Sequence, residues 1–398
     1  MKNCLFDGKV LCFSREPGGA EILSSALNVV PSEACVILGK DYACDIYNKW
    51  GLSYITYYGN TQEALSLFLD KLHNKDFPCA VLTSATSLPK EDMTEKYLWD
   101  WAKLNNIPSI ALLDQWQNYK ERFSGPVHDQ ILKYIPDAIC VMDDSAMKGM
   151  VKDGIPENHI FITGHPALAN IRRKIKDVDE TAIKNIRDRL GITSDKRLIV
   201  FISEPFSHSK SDKEGFTELS ILREVFAYLR KRLESINGLQ NDISFIVKLH
   251  PKEYIEGFKG IKDDFPDVME IIKPLFLKYE ITKEELLIVS DLVLGMSSIL
   301  LMEAIVMGLP AVSLQIGAKR VDLCESVNQG LIPLITEQEG MERVLNSLLD
   351  SPDYLREYLL RIKEYSIIDD PEDQIWSVVR LMIRNNRKNN ESEKIWIN

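Results

Sequence analysis

Short apolar runs rich in β-branched residues recur along this chain, separated by longer stretches with helical periodicity, and this alternation constrains the fold more than any other feature. The runs KVLCFS (from Lys9), ACVILG (from Ala34), CAVLTS (from Cys79), SIALLD (from Ser109), AICVMD (from Ala138) and IFITG (from Ile160) occupy the first part. RLIVFIS, ISFIVKL, LLIVSDLVLG, PAVSLQ and IPLIT follow in the second. Strands alternating with amphipathic helices are the signature of βα units around parallel sheets, so an α/β fold is expected. At 398 residues the chain exceeds what one hydrophobic core comfortably serves, which points to two domains. The two sets of runs meet near GHPALA, Gly164 to Ala169, ahead of the charged stretch NIRRKIKDVDETAIKNIRDRLGIT. The expected domains are 1–165 and 166–368, with 369–398 forming a C-terminal helix and polar tail. That helix opens on Asp370-Pro371 and sets Ile375, Val378, Val379, Met382 and Ile383 on one face, as for packing on the body of the protein. Weak contact of Arg380, Arg384, Arg387 and Lys388 with an anionic membrane surface is the alternative.

A formal net charge of −11 argues against nucleic-acid binding, because affinity for a phosphate backbone comes mainly from Lys and Arg. An anionic ligand must be gripped locally. The seven cysteines, Cys4, Cys12, Cys35, Cys44, Cys79, Cys140 and Cys324, are odd in number and form no CxxC pair, which reads as reduced thiols with neither disulfides nor zinc. Asp7 and Lys9 interrupt the N-terminal apolar run, so no secretory signal is expected and the location is cytoplasmic. The long apolar stretch from Leu286 is broken by Asp291, Glu303 and Gly308-Leu309-Pro310 and reads as strand, turn, helix and strand instead of a membrane span.

Candidate chemistry gathers where runs end. In SREPGGAEIL, Arg15 and the pair Gly18-Gly19 sit between a strand and a helix, where small residues allow close approach of a ligand and the helix offers free N–H groups. The GxGxxG of a dinucleotide fold is absent. In ALLDQWQNYKERF a strand ends at Asp114, a candidate base, followed by Trp116, Tyr119 and Arg122 as candidate contacts to a sugar. Ser203-Glu204 end another run, and KLHPKE places His250-Pro251 after ISFIV, all four being candidates for binding a nucleotide and its phosphate. Finally, Gly295-Met296 turn the chain into Ser297 and Ser298 at a helix start, with Glu303 further along. Paired serines there can cap the helix or bind phosphate, and a carboxylate beyond them can accept ribose hydroxyls. His73, His128, His159 and His208 have no partner at ligand spacing, and no metal or cofactor is expected.

With these residues the chain resembles the GT-B glycosyltransferases, whose two Rossmann-like domains face a cleft and whose last helix crosses back to the first domain. The His-Pro and Ser-Ser steps resemble, more narrowly, bacterial sialyltransferases, ulosonic-acid transferases and CDP-glycerol phosphotransferases. That resemblance implies metal-independent inverting transfer of a CMP-linked nonulosonic acid to a hydroxyl of a glycan, lipid-linked or protein acceptor. Asp114 would be the base, His250, Ser297 and Ser298 would meet the departing phosphate, and Glu303 the ribose. The acidic-acidic-glycine triplet of sialyltransferases is absent, so Asp114 rests on its strand-end position. UDP-GlcNAc 2-epimerases are a second resemblance, through the His-Pro step and the turn in MGLPAV. They differ in having an acidic-Ser-Gly-Gly turn where this chain has Gly295-Met296-Ser297-Ser298, and in histidine-rich motifs missing here. A nucleotide-sugar-binding protein without catalysis is the remaining alternative.

Overall fold

A computed structural model describes residues 8–73, 78–176, 178–209, 214–235, 242–320, 324–365 and 367–395. Its contacts divide the chain into two compact units, residues 1–170 together with 367–398, and residues 171–366.

In the first unit seven strands, β1 (Lys9–Ser14), β2 (Cys35–Gly39), β3 (Ile55–Thr56), β4 (Pro78–Ser84), β5 (Ser109–Leu112), β6 (Ala138–Val141) and β7 (Ile160–Ile162), form one sheet in the order β3-β2-β1-β4-β5-β6-β7. Every pairing is parallel. Val10, Cys12, Phe13, Val81, Leu82, Ile110 and Ile139 are solvent-free, so the central strands are covered on both faces, as their continuous apolar sequences require.

The C-terminal helix Pro371–Ile395 belongs to this unit. Ile375, Trp376, Val378, Val379 and Ile383 join the core beside Ala20, Leu23 and Leu27 of helix Pro17–Leu27, and Trp376 Nε1 donates to the Ala26 carbonyl at 2.7 Å. The apolar stripe of the helix is thereby covered by protein. The stripe is therefore not available for insertion into a membrane surface, while Arg380, Arg384, Arg387 and Lys388 are exposed on the opposite side. Among the described residues no helix is long and apolar enough to cross a membrane.

The second unit carries β8 (Arg197–Ile202), β9 (Ile243–Lys248), β10 (Leu275–Leu277), β11 (Leu292–Gly295), β12 (Ala311–Leu314) and β13 (Leu334–Ile335), all parallel, in the order β10-β9-β8-β11-β12-β13. LLIVSDLVLG does not form one strand. A capping box, with the Thr282 hydroxyl on the Glu285 N–H and the Glu285 carboxylate on the Thr282 N–H, starts helix Lys283–Ile288 across its first residues. The Asp291 carboxylate then accepts from the Leu198 N–H at 2.7 Å, beside the start of β11.

Both sheets share one topology. The chain builds outward from the first strand, then crosses back to add strands on its other side. The reversal lies between β1 and β4 in one unit and between β8 and β11 in the other. In open sheets of this kind ligands bind outside the carboxyl ends of the strands at such a reversal.

Candidate functional site

At the reversal point of the second unit, two consecutive residues after β8 hold two different loops. Ser203, 2% exposed, donates its hydroxyl to Glu253 Oε1 at 2.7 Å, while Glu253 Oε2 accepts from the His250 backbone N–H at 2.6 Å. Glu204 turns the other way, and its carboxylate accepts from the Ser297 N–H at 2.8 Å and the Ser297 hydroxyl at 3.2 Å. The ends of β8, β9 and β11 are therefore tied together through Ser203, Glu204, His250 and Ser297, with Glu253 as the joint. Beyond Ser297, Ser298 caps helix Ile299–Val306, its hydroxyl accepting from the Leu300 N–H at 3.3 Å. The Met296 carbonyl is held from β12 by Ser313 and Gln315, which fixes the turn.

The Lys252 N–H donates to His250 Nδ1 at 3.1 Å, so the neutral ring carries its proton on Nε2. Pro251 between them admits this short return of the chain by its preset φ. Burial, reinforced by Lys252 and Lys278, pushes the His250 pKa below the ordinary histidine value. The ring is thus a neutral Nε2–H donor at pH 7, in a positive local field.

Two members of the expected set have their groups engaged within the protein. The N–H and hydroxyl of Ser297 are both turned to the Glu204 carboxylate. Glu303, 3% exposed, pairs through Oε1 with Lys283 Nζ at 2.6 Å and is not a lone acid.

In the first unit Asp114 stands at the end of β5, its Oδ1 paired with Arg122 Nη1 at 2.8 Å. Arg122 also donates to the Ala85 and Gln117 carbonyls. The other side of the carboxylate lies against Gly18, where an added Cβ would fall 2.3 Å from Asp114 Oδ2. A Cβ on Gly19 would fall 2.4 Å from Ser84 Cβ. The two glycines are thus required by side chains of the protein itself.

Trp116, Tyr119 and Arg122 are also placed otherwise than expected. All three are buried. The Trp116 ring stacks on His165 with centroids 5.6 Å apart, and its Nε1 donates to Asp143 at 2.9 Å. Tyr119 packs against Gly149, and Arg122 is taken up by Asp114 and backbone. They shape the Asp114 loop. Arg15 is likewise met by carboxylates, with Asp41 at 2.7 Å, Glu16 at 2.6 Å and Glu91 at 3.6 Å.

Sequence reasoning missed Glu253 and a buried charged group around the end of β4. Glu95 and Lys96 have no exposed surface, and the Glu95 carboxylate accepts from the Ser84 hydroxyl and the Thr86 N–H. Burial raises the Glu95 pKa and lowers that of Lys96 to about 8. The signal was present, because Glu95 shares a helix face with Leu98, Trp99 and Ala102. Lys40, 4% exposed, pairs with Asp92 and donates to the Gly59 carbonyl and to Asn60. Among the described residues no group of three His, Cys, Asp or Glu could hold a metal ion. The described cysteines are free thiols, and Cys4 lies outside the described residues.

No protein-family model matches the chain, and no curated protein matches it. Solved structures do. A UDP-GlcNAc 2-epimerase from Neisseria meningitidis bound to UDP-GlcNAc has a TM-score of 0.67 at 13% identity, covering 93% of this chain and 99% of its own. The UDP-GlcNAc 2-epimerase of Methanocaldococcus jannaschii has a TM-score of 0.64 at 12% identity, over 94% and 99%. Anabaena Alr3699/HepE, solved with UDP and glucose, has a TM-score of 0.60 at 10% identity, over 94% and 99%. At such identities the likeness concerns the fold, and it establishes a GT-B-like architecture of two Rossmann-like units with parallel sheets.

Proposed function

We propose that this protein is an enzyme acting on a nucleotide sugar, and that its substrate is a UDP-linked N-acetylhexosamine whose C2 configuration it inverts. The observation that carries the reading is the joining of the His250 loop and the Ser297-Ser298 helix start to consecutive residues at the reversal point of the second sheet. A phosphate there meets a neutral Nε2–H donor, the N-terminal N–H groups of helix Ile299–Val306, and the field of Lys252 and Lys278. Uridine and epimerisation are favoured over the cytidine-linked transfer implied by the His-Pro and Ser-Ser steps, because the structural neighbours include two 2-epimerases and a protein solved with UDP.

The chemistry needs no redox step. A carboxylate takes the C2 proton as the C1–O bond to phosphate breaks, giving a 1,2-unsaturated sugar and free UDP. Return of a proton to the opposite face of C2, with re-formation of the C1–O bond, completes the inversion. His250 stabilises the departing phosphate.

The test is incubation with UDP-GlcNAc alone in D2O, followed by proton NMR. The expected result is the C2 epimer carrying deuterium at C2. Stabilisation against heat by CMP in preference to UDP, or turnover only after a hydroxyl acceptor is added, would overturn the reading in favour of glycosyl transfer.

A further inference from the structure

A nucleotide site needs a place for the base, and no residue considered so far supplies one. Adjacent to the His250 loop, the parallel pair β9 and β10 ends in register at Lys248 and Leu277, and the loops beyond them carry Tyr254 and Tyr279. These are strongly exposed aromatics, at 70% and 74% of their surface. Lys278 lies between them, its Nζ 4.8 Å from the Tyr254 ring centroid and 5.2 Å from that of Tyr279.

The arrangement is held from beneath. Lys278 Nζ donates to the Glu253 carbonyl at 2.8 Å. Lys248 Nζ donates to the Lys278 and Ile281 carbonyls. The Glu280 carboxylate accepts from the N–H groups of Lys278 and Tyr279, at 2.6 and 2.9 Å. Glu253 is also the residue that fixes the His250 backbone, so ring platform and imidazole share one support.

We infer that Tyr254, Lys278 and Tyr279 form the platform on which the base of the bound nucleotide stacks. This deepens the proposed function and rests on it. Exposed tyrosines give flat π faces at low entropic cost, and the ammonium between them suits the carbonyl edge of a pyrimidine. The embedded charge sets this surface apart from an apolar protein-docking patch. Continuity with His250 through Glu253 favours the base of the same ligand whose phosphate meets the imidazole.

The test compares UDP, UDP-GlcNAc and inorganic pyrophosphate by calorimetry on the full chain, with Tyr254→Ala, Tyr279→Ala, the double variant and the Tyr→Phe counterparts. Stacking strengths of the usual size predict UDP affinity lower by roughly 5- to 150-fold in the double alanine variant. Pyrophosphate affinity stays unchanged, and the phenylalanine variants keep UDP affinity. UDP binding within twofold of wild type in the double alanine variant overturns the inference. So does equal weakening of UDP and pyrophosphate, which marks a disrupted loop, or weakening of UDP-GlcNAc alone, which marks a sugar platform. A wild-type protein that binds no UDP overturns the proposed function and this inference together.

Discussion

Glu253→Ala tests whether the joint at the end of β8 organises the second unit. The native carboxylate is 3% exposed and accepts two hydrogen bonds, from the Ser203 hydroxyl at 2.7 Å and the His250 N–H at 2.6 Å. Alanine leaves both donors without their acceptor. At about 1–3 kcal/mol for each buried donor left unmade, the expected loss is about 2–6 kcal/mol. Glu253→Gln behaves differently. Its carbonyl can take the His250 N–H, and the Ser203 hydroxyl can rotate to accept from the new amide, so only the charge assistance is lost, about 1–2 kcal/mol. Urea unfolding at unchanged slope gives both values, and UDP affinity measured beside it reports whether His250 still points to its ligand. An alanine variant within about 1 kcal/mol of wild type, or one matching the glutamine variant in stability and UDP affinity, would refute the reasoning.

Two further outcomes follow from the geometry. Gly18→Ala places a methyl 2.3 Å from Asp114 Oδ2 and should displace that carboxylate from its pairing with Arg122, lowering stability by about 1–3 kcal/mol in urea unfolding; unchanged stability would contradict the close approach of Asp114 to Gly18. His250 should titrate below 6.5 in the free protein, owing to burial and then to Lys252 and Lys278, and bound UDP should raise its pKa. Because the folded pKa lies below the unfolded one, the unfolded chain binds more protons between the two values. Stability falls as pH drops through that window, and His250→Gln should flatten this slope; an NMR midpoint above 6.5 without ligand would contradict the assignment.

The described glycines and aromatics show how far local reasoning reached. Gly18-Gly19 and the group after Asp114 stand out in the sequence as unusual. Gly18 meets Asp114, Gly19 meets Ser84, and Trp116 meets Asp143 and His165, partners too far along the chain for a short stretch to reveal, whereas Arg122 lies within the same stretch as Asp114. The strands β3 and β10 were missed because each is a short edge strand, carrying too few residues for a period to emerge.

Apolar runs and helical periodicity by themselves determined the α/β class, the two sets of parallel strands, the final helix and the strand ends at which chemistry could gather. Those properties depend on hydrophobic patterning, which is local. Only the tertiary structure decided that Glu253 joins Ser203 to the His250 loop, that Glu204 lies on Ser297, and that Lys283 shares Glu303. Hydrogen bonds and ion pairs depend on distance and direction between side chains far apart in sequence, and folding alone sets these.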